Sequence, residues 1–211
     1  MKKKEFMKLG IREISMIFQC ERDSGMYLRG NKIELFREDC GQQSIIDFTA
    51  KITADFDNFT KTIGSVAGSL LCDPTAKDDF VVMCCEDSGV LGDFAFAITG
   101  DDHKVKPEYC DVFEDMLFVY ELYLEPQYRG CGIGKFIVSN LNEMFNLAYF
   151  QGATACGFTT DPIERDKTGS LLCDPDDKNG IRRNKSILKA CGCEEIPESD
   201  FMILFDKGQH R

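Results

Sequence analysis

The sequence predicts an α/β (α+β) chain, and three stretches carry that prediction. Residues 45–70 space their apolar side chains as a helix does, and residues 80–99 alternate as a β-hairpin does. Residues 116–124 form an apolar strand that passes through a glycine-rich loop into an amphipathic helix. A chain of 211 residues buries a sizeable core without being forced to split. The expected organisation is a single domain over 1–211, with a strand and helix region at 1–79 and a core at 80–206.

The start, MKKKEFMKLGIREISMIF, has a basic head, but Lys8, Arg12 and Glu13 interrupt its apolar residues before a signal-peptide core can form. No apolar run approaches the roughly 18 residues that span a bilayer, so a membrane partner is not expected and a cytoplasmic location is. Ile45, Phe48, Ile52, Phe56, Phe59, Ile63, Val66 and Leu70 recur in steps of three and four, with Ser44 as N-cap. Gly64 and Gly68 weaken the last turns of that helix, and Asp73-Pro74 ends it. Residues 80–85 and 90–99 flank the turn Glu86-Asp87-Ser88-Gly89, with Phe94, Phe96 and Ile98 alternating. An acidic loop follows over 100–115, carrying Asp101, Asp102, Glu108, Asp111, Glu114 and Asp115.

The strand at 116–124 is closed by Pro126, and beyond the glycines Ile137, Leu141, Met144, Phe145 and Ala148 share one helical face. Residues 152–160 predict another strand, 185–191 a short helix ending at Gly192, and 201–205 a last strand. The heptapeptide Gly68-Ser69-Leu70-Leu71-Cys72-Asp73-Pro74 recurs letter for letter at 169–175. Its flanks do not recur, which excludes a solenoid, and it reads as a reused helix-end stop before proline.

Eleven cysteines without a C-x-x-C pair, in a chain with only two histidines, point to reduced, buried thiols in the cytosol and to no metal site. A net charge of −11 argues against a nucleic-acid partner and suits a cationic substrate.

The stretch Gln127-Tyr128-Arg129-Gly130-Cys131-Gly132-Ile133-Gly134-Lys135 sets three alternate glycines between an arginine and a lysine. Glycines at a helix start let the backbone close on a phosphate. A Walker loop fails twice, because Arg129 stands where its first glycine belongs and Phe136 follows the lysine. A dinucleotide fingerprint fails because Gly130, Gly132 and Gly134 are spaced one residue too tightly. What remains is R-x-x-G-x-G at 129–134.

A strand, Pro126, R-x-x-G-x-G and an amphipathic helix together resemble motif A of the GNAT superfamily of acyl-CoA N-acyltransferases. The segment VLGDFAFAI at 90–98 looks like the second and third strands of that fold, and the resemblance covers about 80–205. It implies a mixed, mostly antiparallel central sheet flanked by helices, with an extended N-terminal helical region. It also implies acetyl-CoA as co-substrate, with no metal. The backbone N–H groups of Gly130, Cys131, Gly132, Ile133, Gly134 and Lys135 would then cradle the pyrophosphate, with charge added by Arg129 and Lys135. Carried over by position, the backbones of Leu122, Tyr123 and Leu124 would pair with the pantetheine arm and polarise the thioester. Glu121 would take the proton from a substrate ammonium. Tyr120-Glu121 is also similar to a Tyr-Glu pair in histone N-terminal acetyltransferases, which makes Tyr120 the second candidate catalytic residue.

The chain departs from that pattern where relatives carry a proton-donating tyrosine on the last helix, since that position falls on Leu188. Ser186, a water, or unassisted loss of the thiolate are the alternatives. Asn184 lies near the family's helix-start asparagine at a shorter spacing, and an acidic insertion spans 161–183. The implied activity is transfer of an acetyl group to a primary amine by direct attack, the amine belonging to a small molecule or to a peptide or protein. The acidic loops favour a cationic acceptor. The alternative is a non-catalytic acyl-CoA sensor, and residues 1–79 are open to a role in the site, in a homodimer surface or as a helical cap.

Overall fold

A computed structural model describes residues 9–20, 45–110, 114–149 and 152–205. A seven-stranded sheet is built from β1 (Glu13–Cys20), β2 (Ile45–Asp55), β3 (Thr60–Leu71), β4 (Asp115–Leu124), β5 (Ala153–Thr159), β8 (Glu194–Glu195) and β9 (Phe201–Phe205), in the order β1-β2-β3-β4-β5-β9-β8. Every neighbouring pair is antiparallel except β4 with β5. The chain also forms α1 (Phe80–Asp87), α2 (Gly89–Ile98), α3 (Ile133–Tyr149), α4 (Lys178–Lys189) and a small hairpin of β6 (Ile163–Arg165) and β7 (Leu171–Cys173). The mixed, mostly antiparallel sheet flanked by helices is therefore present, as are β4, α3, β5 and β9 where the sequence placed them.

The helix expected over 45–70 is instead the pair β2 and β3. Ile46, Phe48, Ala50, Ile52 and Ala54 are buried at every second position, a period of two that two alanines conceal from a search for large apolar side chains. Gly64 and Gly68, expected as weak points of a helix, sit where β3 passes β4: a Cβ there would run into the carbonyl oxygens of Tyr123 and Phe118. Ser44, the expected N-cap, lies outside the described residues. β2 and β3 join the same sheet as β4, so the described part of the N-terminal region carries strands and no α-helix, and the sheet runs across the 79/80 boundary.

The hairpin expected over 80–99 is the helix pair α1 and α2, so VLGDFAFAI does not supply sheet strands. Leu91, Phe94, Ala95 and Ile98, at helical spacing, are fully buried, whereas Phe96 is 55% exposed; an alternating strand would have hidden Phe96 with Phe94. Ser88 caps α2 by accepting from the Leu91 N–H, so the expected turn residues serve as a helix boundary.

The helix pair covers one face of the sheet, where Phe94 stacks on Phe118 at 4.3 Å between ring centres and packs with Leu71, Met116 and Phe201. On the other face, Phe48, Ile52, Val66, Leu117 and Val119 pack against Ile137, Leu141 and Phe145 of α3 and Leu188 of α4. α3 is amphipathic at the positions expected.

α4 starts at Lys178, well before residue 185, because Asp177 caps it by accepting from the N–H groups of Asn179 and Gly180. Asn184 is therefore inside the helix and not at its start. Of the acidic stretch 100–115, Asp115 belongs to β4; its half-buried carboxylate accepts from the Asp73 N–H at 3.0 Å, and burial pushes its pKa up. Asp111 lies outside the described residues. Neither copy of GSLLCDP ends a helix: the first closes β3 and the second runs through β7, each followed by a turn at its proline.

Candidate functional site

Parallel pairing of β4 with β5 runs from Asp115↔Ala153 to Val119↔Phe158 and then stops, although β4 continues to Leu124. On its other side β4 stays paired with β3 to Leu124, but Tyr120 is an extra residue between the pairs Gly68↔Val119 and Ala67↔Glu121. A bulge of this kind bends its strand. Residues 121–124 thus have no strand partner on the β5 side, and the wedge between the two strands opens into a cavity of about 510 Å3. Its walls are apolar: Val119, Leu122 and Leu124 from β4, Val138 from α3, Phe158 from β5, Ile187 and Leu188 from α4.

The glycine loop forms one rim. Gly130 at φ +74° and Gly132 at φ +88° are in the left-handed region, which a side chain makes costly. A Cβ on Gly134 would project into the cavity and touch only Leu124, at 3.7 Å. Phe136 donates to the Gly132 carbonyl and begins the helical ladder, while the N–H groups of residues 130–135 have no acceptor among the described residues. These donors stand at the positive end of a seventeen-residue helix, and Gly130, Gly132, Gly134 and Lys135 border the open space, an arrangement suited to an anion.

Arg129 does not add its charge to that arrangement in the simple way its spacing suggests. Its Nε donates to the Leu124 carbonyl at 2.8 Å, and its two terminal nitrogens pair bidentately with Glu164 of β6 at 2.6 and 2.9 Å. The hydrogen bond to Arg129 holds the Glu164 carboxyl below its ordinary range, and Glu164 in turn raises the guanidinium. The Arg129 guanidinium also lies 5.4 Å from the centre of the Tyr123 ring, and that of Arg165 lies 4.9 Å from it. Arg129 ties the loop, the end of β4 and the β6–β7 hairpin together. Lys135 is exposed and borders the cavity. The Cys131 thiol donates to the Tyr128 carbonyl at 2.9 Å, which gives it a local role in the loop.

The bulge sets the two candidate catalytic residues, Tyr120 and Glu121, between Val119 and Leu122, which both face α3, and Tyr120 packs with the cluster on the opposite face. Leu122 and Leu124 face α3, and Glu121 and Tyr123 face the opposite side of the sheet. There Glu121 is half-buried and its carboxylate accepts from the Ser65 hydroxyl at 3.0 Å. Tyr120 borders the cavity, with its ring 6.4 Å from that of Phe118. Leu188 occupies the cavity wall, so no proton donor stands at that position, and Ser186 is exposed and not part of the wall. The Asn184 side-chain amide donates to the carbonyls of Thr160 and Asp161, fastening α4 to the end of β5.

One charged wall residue escaped the sequence reading, Arg183, and Asp161 was legible only as part of the acidic insertion. Arg183, Asn184, Ile187 and Leu188 share one face of α4 at steps of one, three and one, a pattern visible only once the helix is known to begin at Lys178. Among the described residues, no group of three or more His, Cys, Asp and Glu side chains could hold a metal ion.

No family model matches the chain, and no curated protein matches it. Among solved structures the chain is similar to NAA60 of Arabidopsis thaliana in complex with a bisubstrate analogue, at 10% identity over 78% of each chain and a TM-score of 0.37. It is also similar to NAA60 of the same plant in complex with acetyl-CoA, at 12% identity over 79% of this chain and 78% of that one, with a TM-score of 0.38. No residue role is carried across at that distance.

Proposed function

We propose that this chain is an acetyl-CoA-dependent N-acetyltransferase of the GNAT type, acting on a primary amine. The observation that carries the reading is the glycine loop, with N–H groups unpaired among the described residues at a helix start, bordering an apolar wedge between diverging parallel strands. A pyrophosphate followed by a long, weakly polar arm fits such a site, the anion at the helix start and the arm along the free edge of β4.

When bound, acetyl-CoA supplies an activated acetyl thioester. The N–H groups of residues 130–135 hold its pyrophosphate. Of the backbone groups expected to meet the pantetheine arm, those of Leu122 and Tyr123 lie on the strand edge that β5 leaves open, while the Leu124 carbonyl already accepts from Arg129. Glu121, oriented by Ser65, takes the proton from the acceptor ammonium so that a free amine can attack. Tyr120 is the hydroxyl-bearing residue of the cavity wall nearest to Glu121 in the chain, and we assign it to the same step. A cationic acceptor suits the chain's charge of −11.

One observation favours a second reading. Leu188 fills the wall where relatives keep a proton donor, which suits a module that binds acyl-CoA without turning it over. Incubating the protein with acetyl-CoA and a panel of amines, and following thiol release, separates the two. Amine-dependent release supports the transferase. Tight binding of acetyl-CoA with no release from any amine supports the sensor.

A further inference from the structure

The cavity wall carries three cations, Arg129, Lys135 and Arg183, and a phosphorylated ligand has only two of them at its disposal. Arg129 is committed on all sides: to a backbone carbonyl, to both oxygens of Glu164, and to the face of Tyr123. Neither Lys135 nor Arg183 forms an ion pair with a carboxylate among the described residues. Arg183 is exposed on the cavity face of α4 and stands near enough to Glu164 to contribute to lowering its pKa. Arg183 therefore lines, from the α4 side, the same cavity that the glycine loop borders from the other. The carboxylate on this wall, Asp161, follows β5 and lies near the Cys173 thiol of the hairpin, whose pKa it helps to raise.

We propose that Arg183, with Lys135 on the facing helix, is the side-chain site that binds the phosphorylated nucleotide end of acetyl-CoA, and that Arg129 is a positioning residue. This rests on the acyl-CoA reading of the cavity. A guanidinium offers planar paired donors to phosphate oxygens, and here it does so beside backbone donors that already favour an anion. The arrangement divides the labour: the backbone of the loop fixes where the anion sits, and the side chain from α4 adds the charge.

Calorimetric titration of acetyl-CoA into wild type, Arg183→Gln and Arg183→Lys tests this at low salt and at about 1 M salt, where the Debye length is about 3 Å. The expected result is a loss of about tenfold or more in affinity for Arg183→Gln at low salt, recovery of most of it in Arg183→Lys, and a smaller difference at high salt. Arg183 is exposed, and a circular-dichroism melt matching wild type shows that each variant is folded. Equal binding by wild type and Arg183→Gln overturns the assignment and leaves the acyl-CoA reading intact. An equal loss at both salt concentrations also overturns it, since the side chain would then be shaping the cavity and not reading charge. If wild type binds no acetyl-CoA, the parent reading falls and this one with it.

Discussion

β4 is one strand with two halves, and they differ in what surrounds them. Over Met116, Leu117, Phe118 and Val119 it is closed on both faces and paired on both edges, with helices α1 and α2 against one side and α3 against the other. After the bulge at Tyr120 the β5 edge is open, and every residue from Glu121 to Leu124 but Tyr123 is partly exposed. The closed half is the sheet's anchor, and the open half borders the candidate site. Each half should therefore respond to substitution in a different measurement.

The largest effect is expected in the closed half. Phe118→Ala removes a fully buried ring that stacks on Phe94 and meets Phe201 edge-on, and should lower stability by about 3–5 kcal/mol in urea unfolding. A loss under about 1 kcal/mol would show that the two halves do not differ as described. In the open half, Glu121→Gln should cost about a hundredfold in turnover, with acetyl-CoA affinity and melting temperature close to wild type. Unchanged turnover would remove Glu121 from the reaction.

Smaller effects sharpen the boundary. Gly132→Ala places a side chain at φ +88°, and strain of roughly 1–2 kcal/mol should appear as weaker acetyl-CoA binding or lower stability. Glu164→Gln should be the mildest, under about 1 kcal/mol, because both partners of the Arg129 pair are partly exposed. Its sign with pH follows from the lowered Glu164 pKa. Stability from the pair is present above the ordinary glutamate value of 4.5 and is lost as pH falls through the folded value. Denaturant midpoints of wild type and Glu164→Gln should differ near neutral pH and converge on acidification. A gap that widens in acid would mean that the pair does not stabilise the fold.

Some elements were legible in the sequence because their cause is local. The strand at 115–124 is a continuous apolar run stopped by Pro126, α3 carries a plain helical stripe, and Gly130 and Gly132 mark backbone that only glycine adopts easily. The 45–71 region misled because large apolar residues at Phe48, Ile52 and Val66 mimic a helical step while Ala50 and Ala54 carry the alternation unseen. Residues 80–98 misled for the opposite reason: Phe94, Phe96 and Ile98 alternate, yet Phe96 faces solvent. The identical GSLLCDP copies make the same point, since Leu71 of the first is fully buried in the sheet and Leu172 of the second is 55% exposed on a hairpin. Seven residues do not carry enough contacts to choose their own environment.

The sequence by itself determined the glycine loop: glycine spacing, a following amphipathic helix and a preceding strand are short-range facts, and they hold wherever that helix is packed. Tertiary structure alone decided which charges stand beside it. Arg129 meets its partner Glu164 thirty-five residues away, and Arg183 reaches the cavity only because Asp177 starts α4 early enough to turn that face inward. Side-chain pairing depends on which surfaces the chain brings together, and that is a property of the packed sheet and not of any neighbouring letters.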